Sequence, residues 1–262
     1  MNPQYLRLAI EGRLAIITLD RPAARNAMSR ALMTELLDQA RSMSERSDID
    51  VVILTGGSTC FSAGADLRDP QPWTAVTKSL VERREMAAIG YKLCAAWEAM
   101  PQMTIASIEG YAVGGGLALS LACDWRVVAS DAFVSLPEIA LGIPLTWGAI
   151  PRLVNLVGPA RAKRLTVLCE RFGAAEALAI GLIDYVADPG QALARAQLLA
   201  EQTLAMPSAV VRMSKESVNA IATALNHASS YMGHDQIVLA AASEESIAAR
   251  GAALRTAKSA PG

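Results

Sequence analysis

TIASIEGYAVGGGLALSLACD, residues 104–124, is the stretch whose reading decides the fold. It begins with Thr104–Ile108, a short apolar run that meets a polar turn at Glu109-Gly110, the pattern of a buried strand. After Gly114-Gly115-Gly116 the residues are again apolar and read as a helix ending near Cys123. A strand that passes through a glycine turn into a helix is the building unit of an α/β fold. The glycines also carry a chemical meaning. The first N–H groups of a helix have no intrahelical acceptor and favour negative charge. Without a Cβ, glycine lets a ligand oxygen come close to them. The spacing is not GxGxxG, because Leu119 stands at the third position, so a dinucleotide fingerprint is not supported.

A second segment repeats the theme upstream. The apolar run VVILTG (51–56) reads as a buried strand, and Phe61-Ser62-Ala63-Gly64-Ala65-Asp66-Leu67 follows it with small residues around Gly64. Each turn alone reads equally well as a tight strand-to-helix connection. Together they offer two sets of accessible backbone donors. Two donors converging on one oxygen make an oxyanion hole.

Around these segments the chain alternates strands and helices. Tyr5–Ile10 and Leu14–Leu19 flank Glu11-Gly12 as a hairpin. Ser29 is placed to cap a helix running to about Met43. A helix is expected from about Ala75 to Met100, and short strands at Asp124–Val128 and Phe133–Ser135. Pro159 after Gly158 suits the first turn of a helix, and Gly173 precedes a short helix stopped by Gly181. From about Ala192 the pattern is alanine-rich and helical. The expected fold class is therefore α/β with a helical tail, divided as residues 1–195 and 196–262.

Composition narrows the function classes. The 262 residues are 52% hydrophobic and 19% charged, which is globular. With 24 basic and 25 acidic side chains the net charge is −1, so the basic excess of a nucleic-acid binder is lacking. The N-terminal stretch lacks a signal-peptide layout, and no apolar run reaches the length of a membrane span. Cys60, Cys94, Cys123 and Cys169 have no CxxC spacing and read as reduced thiols of a cytoplasmic protein. The only histidines, His227 and His234, disfavour a metal site and a Ser-His-Asp triad.

The paired glycine turns resemble those of the enoyl-CoA hydratase/isomerase (crotonase) superfamily. DRPAARNAMS (20–29), SAGADL (62–67), IEGYAVGGGLALSLACD (108–124), LPEIALGI (136–143) and FGAAEALAIGLIDYV (172–186) carry the resemblance. It implies a spiral core of ββα units, a C-terminal helical trimerisation segment, and homotrimers or hexamers. It implies an acyl-CoA substrate, with coenzyme A as part of that substrate, no separate cofactor and no metal. By position, Ala65 and Gly115 would supply the oxyanion N–H groups. Ala63, Asp66, Leu67, Arg68 and Gly114 would line the thioester and CoA. Arg25 falls where a basic residue meets CoA phosphate, and reads equally as a solvated surface charge.

The carboxylates bear on the reaction. Hydratases of this family use two glutamates, and here the second is Glu138 whereas Ala118 occupies the place of the first. Adding water to a conjugated double bond needs groups that hold the water and move its proton. A 1,3-proton shift needs one carboxylate. The expectation is thus a single-glutamate Δ3,Δ2-enoyl-CoA isomerase with Glu138 as acid/base. The alternatives are an enoyl-CoA hydratase and a non-catalytic acyl-CoA-binding protein. Glu82 or Glu85 is a candidate for a second acid, though either fits a solvated helix face. Trp73, Met86, Leu141, Thr146 and Trp147 are candidate acyl-pocket walls, equally explained as core. The run Ala248-Ala249-Arg250-Gly251-Ala252 departs from the phenylalanine-containing tail common in the family, which puts a CoA contact from that tail in doubt.

Overall fold

The computed structural model describes residues 4–69, 75, 77–224, 226, 230 and 233–259. The hairpin forms as β1 (Leu6–Glu11) and β2 (Leu14–Leu19), turning at Gly12 with φ +59°. Helix α1 (Arg30–Ser44) follows, with the Ser29 side chain accepting from the Leu32 N–H. Next come β3 (Val51–Thr55), α2 (Leu80–Glu98), β4 (Met103–Ile108), β5 (Tyr111–Val113), α3 (Gly115–Ser120), β6 (Trp125–Ala129) and β7 (Phe133–Ser135). Then follow α4 (Ala149–Val167), β8 (Arg171–Gly173), α5 (Ala174–Ala179), β9 (Tyr185–Ala187) and α6 (Ala192–Leu204). The described chain closes with α7 (Ser208–Ala222), α8 (Gly233–Ala240) and α9 (Glu244–Ser259).

Several boundaries differ from expectation. Helix α2 begins at Leu80 rather than near Ala75, because Ser79 and Glu82 form a reciprocal capping box. Helix α3 ends at Ser120, three residues before Cys123. Gly158-Pro159 does not open a separate helix. It kinks α4, with Gly158 at φ 76°, ψ 165°. The three-residue strands β5, β8 and β9 are too short to show a period in sequence.

The strands form a six-stranded sheet in the order β1-β2-β3-β4-β6-β9 and a three-stranded sheet, β5-β7-β8. Apart from the β1–β2 hairpin, the larger sheet is parallel. Its central strands are covered on both faces, which is why they read as continuous apolar runs. Val51, Ile53, Ile105 and Val127 pack toward Ala192, Ala196, Leu199 and Ala200 of α6. Their neighbours Val52, Leu54, Ala106 and Val128 face the main core with α1, α2 and α3. Burying each such Val, Leu or Ile side chain contributes about 1.5–3 kcal/mol. A division between residues 195 and 196 falls inside α6.

Parallel pairing of β3 with β4 brings both glycine-turn loops to one edge of the sheet, at the carboxyl ends of the strands. Ligand sites of parallel α/β sheets lie there.

Candidate active site

The loop after β3 is tied to the one after β4 by a parallel bridge between Ser62 and Ala112. The Val113 N–H donates to the Ser62 carbonyl at 3.0 Å. A second splint comes from residues 25–28. The Ala63 N–H donates to the Arg25 carbonyl at 3.0 Å, Met28 N–H to Gly64 at 2.7 Å, and Asp66 N–H to Met28 at 3.1 Å. Asn26 anchors this splint. Its side-chain amide donates to the carbonyls of Gly56 at 2.9 Å and Cys60 at 3.2 Å, and its Oδ1 accepts from the Arg21 N–H at 3.0 Å. The left-handed turn at Arg25 (φ 54°) and Asn26 (φ 51°) aims these groups.

The bridge to Met28 uses the groups on either side of Ala65 and leaves the Ala65 N–H turned the other way. Gly115 is the first residue of α3, so its N–H has no acceptor within the helix. Among the described residues neither N–H has a protein acceptor. The two turns touch. A Cβ on Gly64 would lie 3.5 Å from the Gly115 nitrogen and one on Gly114 would lie 3.9 Å from the Gly64 Cα. Gly64 (φ +89°) and Gly114 (φ +54°) both need the left-handed region, so glycine serves conformation and access at once.

These loops open into a cavity of about 140 Å³. Glu138 is the one ionisable side chain among its described lining residues. It follows Pro137 and opens a short 3₁₀ turn, Ile139–Leu141. Its carbonyl accepts from Leu141 at 3.0 Å and Ile143 at 2.9 Å, which fixes the backbone. Part of the residue meets solvent, but its Oε2 is sealed and has no hydrogen-bond partner among the described residues. Burial pushes the carboxyl up to about 7 from its ordinary 4.5. An enclosed carboxyl near neutrality, in a cavity that Ala65 and Gly115 also line, can take and return a proton.

The other expected residues are placed as follows. Ala63, Ala65, Leu67, Met86, Gly114, Gly115, Ala118, Leu141, Thr146 and Trp147 all line the cavity. Asp66 is buried instead, and its Oδ2 pairs with Arg21 at 2.6 Å. That carboxylate braces the loop and does not line the cavity. Arg25 and Arg68 are exposed and are not among the lining residues. Trp73 lies outside the described residues. Glu82 and Glu85 do not supply a second acid to the cavity. Glu82 caps α2 through Ser79, and Glu85 pairs with Lys92 at 2.7 Å, both on exposed surface.

Trp147 has an unusual backbone. At φ 58° it is a bulky residue in the left-handed region, which costs on the order of 1–3 kcal/mol. Arg152 holds it there. Its Nη1 donates to the carbonyls of Trp147 and Gly148, each at 3.0 Å, and its fork grips Glu98 with two bonds of 2.8 Å. Sequence reading missed Ile237, which reaches the cavity wall from α8 with only 6% exposure. It comes from almost a hundred residues downstream of Glu138, and no local pattern marks it. The Arg84–Asp235 ion pair fastens α8 to α2.

Comparison with known proteins places the chain in a family. The family model described as enoyl-CoA hydratase/isomerase matches residues 9–253. The chain is 35% identical to a crotonyl-CoA hydratase of Syntrophomonas wolfei over 220 residues, covering 84% of this chain and 83% of that one. It is 32% identical to a short-chain-enoyl-CoA hydratase of Clostridium acetobutylicum, covering 80% and 78%. Its fold is similar to that of Pseudomonas aeruginosa DspI, with a TM-score of 0.76, 34% identity and coverage of 82% and 86%. Two joined glycine turns, an enclosed glutamate and a family match across nearly the whole chain lead to one conclusion: this protein belongs to the enoyl-CoA hydratase/isomerase family.

Proposed function

We propose that the protein acts on acyl-CoA thioesters, holding the thioester oxyanion with the Ala65 and Gly115 N–H groups and moving protons with Glu138 alone. The observation that carries this reading is Glu138 itself, an enclosed carboxyl with a free Oε2 in a cavity whose other described lining residues are not ionisable. One such group suits a Δ3,Δ2 shift. Glu138 takes a proton from C2 of a 3-enoyl thioester, the dienolate rests against the two N–H groups, and the proton returns at C4. Each N–H donor is worth about 3–4 kcal/mol to the transition state.

Hydration of a 2-enoyl thioester is the second reading, and the relatives favour it. Two of them are named as a crotonyl-CoA hydratase and a short-chain-enoyl-CoA hydratase, and their names lend no support to isomerisation. Against it stands Ala118, 1% exposed at the cavity, which cannot hold a water. Incubating 2-enoyl-CoA and 3-enoyl-CoA with the protein in deuterated water decides between them. Double-bond migration with deuterium uptake and no 3-hydroxyacyl product supports the shift. Enzymatic water addition to crotonyl-CoA, at about 1–1000 per second, establishes hydration instead. Turnover of neither, with acyl-CoA still bound, leaves a binding protein.

The buried thiols of Cys60, Cys94 and Cys123 support a reducing, cytoplasmic setting. The family resemblance supports an assembly of three or six copies, which sedimentation analysis tests.

A further inference from the structure

Two glycines on different helices leave room for one indole. A Cβ on Gly90 of α2 would lie 2.0 Å from Cε2 of Trp147, and one on Gly115 of α3 would lie 2.6 Å from its Cη2. The ring therefore occupies the volume that side chains at both positions would take. Its benzo edge lies against Gly115, one residue from Gly114, whose absent Cβ faces the Glu138 Oε1. Trp147 and Glu138 thus flank the Gly114–Gly115 turn, and both line the same cavity. Arg152, paired with Glu98, fixes the backbone from which the ring projects.

We propose that Trp147 is the specificity-determining residue that closes the acyl side of the cavity and confines the protein to short acyl chains. This deepens the reading of the cavity as a thioester site and rests on it. The whole cavity, with the Ala65, Gly115 and Glu138 region included, is about 140 Å³. A cavity of about 150 Å³ holds one benzene ring, so with the thioester carbonyl seated in it the acyl group that fits is short, roughly four carbons. A residue in a conformation it rarely adopts, braced by a buried arginine paired with a half-buried glutamate, is a feature held in place for a task.

The test is binding of saturated acyl-CoA esters, which have no double bond to hydrate or shift, so the result is independent of the reaction. Calorimetric Kd values for butanoyl-CoA and decanoyl-CoA are measured on the full chain and on Trp147→Ala. The wild-type protein is expected to prefer the butanoyl ester. Trp147→Ala is expected to lower the ratio of decanoyl to butanoyl Kd by roughly tenfold or more, the scale that pocket-size changes reach. Trp147→Phe, which keeps a ring in the slot, is expected to lower the ratio by a smaller factor, and it serves if the alanine variant does not fold. An unchanged ratio in the folded variants, or a wild-type preference for the decanoyl ester, overturns the proposal and leaves the thioester reading intact. Failure of the wild-type protein to bind either ester overturns both.

Discussion

Gly114 and Glu138 stand so close that a Cβ on Gly114 would lie 2.7 Å from the Glu138 Oε1. The glycine that opens α3 is thereby the neighbour of the one ionisable group among the cavity's described lining residues. Gly114→Ala is expected to push the carboxylate aside and to strain a backbone held at φ +54°. Activity should fall by about a hundredfold, as for small displacements of reacting groups. Stability should fall by about 1–3 kcal/mol. Steady-state kinetics and thermal unfolding read the two effects separately.

Glu138→Gln should lower kcat by about a hundred- to ten-thousand-fold while leaving acyl-CoA binding largely intact. Because burial sets the Glu138 carboxyl near 7, the proton-accepting form grows with pH, and kcat/KM for the proton shift should rise to a plateau with a midpoint near 7. Stability runs the other way. The folded value of about 7 exceeds the ordinary 4.5, so the folded state holds the extra proton between them. This group's contribution is full below about 4.5 and is lost as pH rises through about 7. The loss is on the order of 3 kcal/mol. Denaturant unfolding across that range should show the decline in the wild-type protein and a flatter profile in Glu138→Gln.

Ala118→Glu places a second carboxylate on the cavity wall. If one carboxylate is what limits water activation, the ratio of crotonyl-CoA hydration to double-bond migration should rise by about a hundredfold. Product analysis of the two substrates measures it. An unchanged ratio in a folded variant would show that Ala118 does not choose the reaction.

Asn26→Ala removes three hydrogen bonds from a side chain in a residue only 1% exposed. It leaves the Gly56 and Cys60 carbonyls without that donor, at about 1–3 kcal/mol for each buried unsatisfied group. The expected outcome is a clear fall in melting temperature together with weaker activity, since the same turn aligns Ala65. Differential scanning calorimetry and kinetics on one preparation check both.

Much of the fold was legible in local pattern. The apolar runs at 51–56 and 104–108 are strands because both faces of the sheet are covered, and Ser29 caps α1 as its hydroxyl allows. Helical pattern alone starts α2 too early, whereas the capping box of Ser79 and Glu82 fixes its first residue as Leu80. The spatial neighbourhood was less legible. Asp66 stands beside Ala65 in sequence, yet its carboxylate turns to Arg21. Glu82 and Glu85 sit on the helix that supplies Met86 to the wall, yet they face solvent.

Sequence by itself determined the alternation of strands and helices and the two glycine turns, while the family resemblance singled out Glu138 and Ala118. These depend on hydrophobic period, on left-handed turns that favour glycine, and on residue identity, all of which are local. Only the tertiary structure decided where the Ala65 N–H points, that the Glu138 Oε2 is sealed from water, and that Trp147 fills a slot between Gly90 and Gly115. Those are contacts between residues distant in the chain. Their energies depend on burial and close packing, which exist once the chain has folded and leave no mark on any single segment.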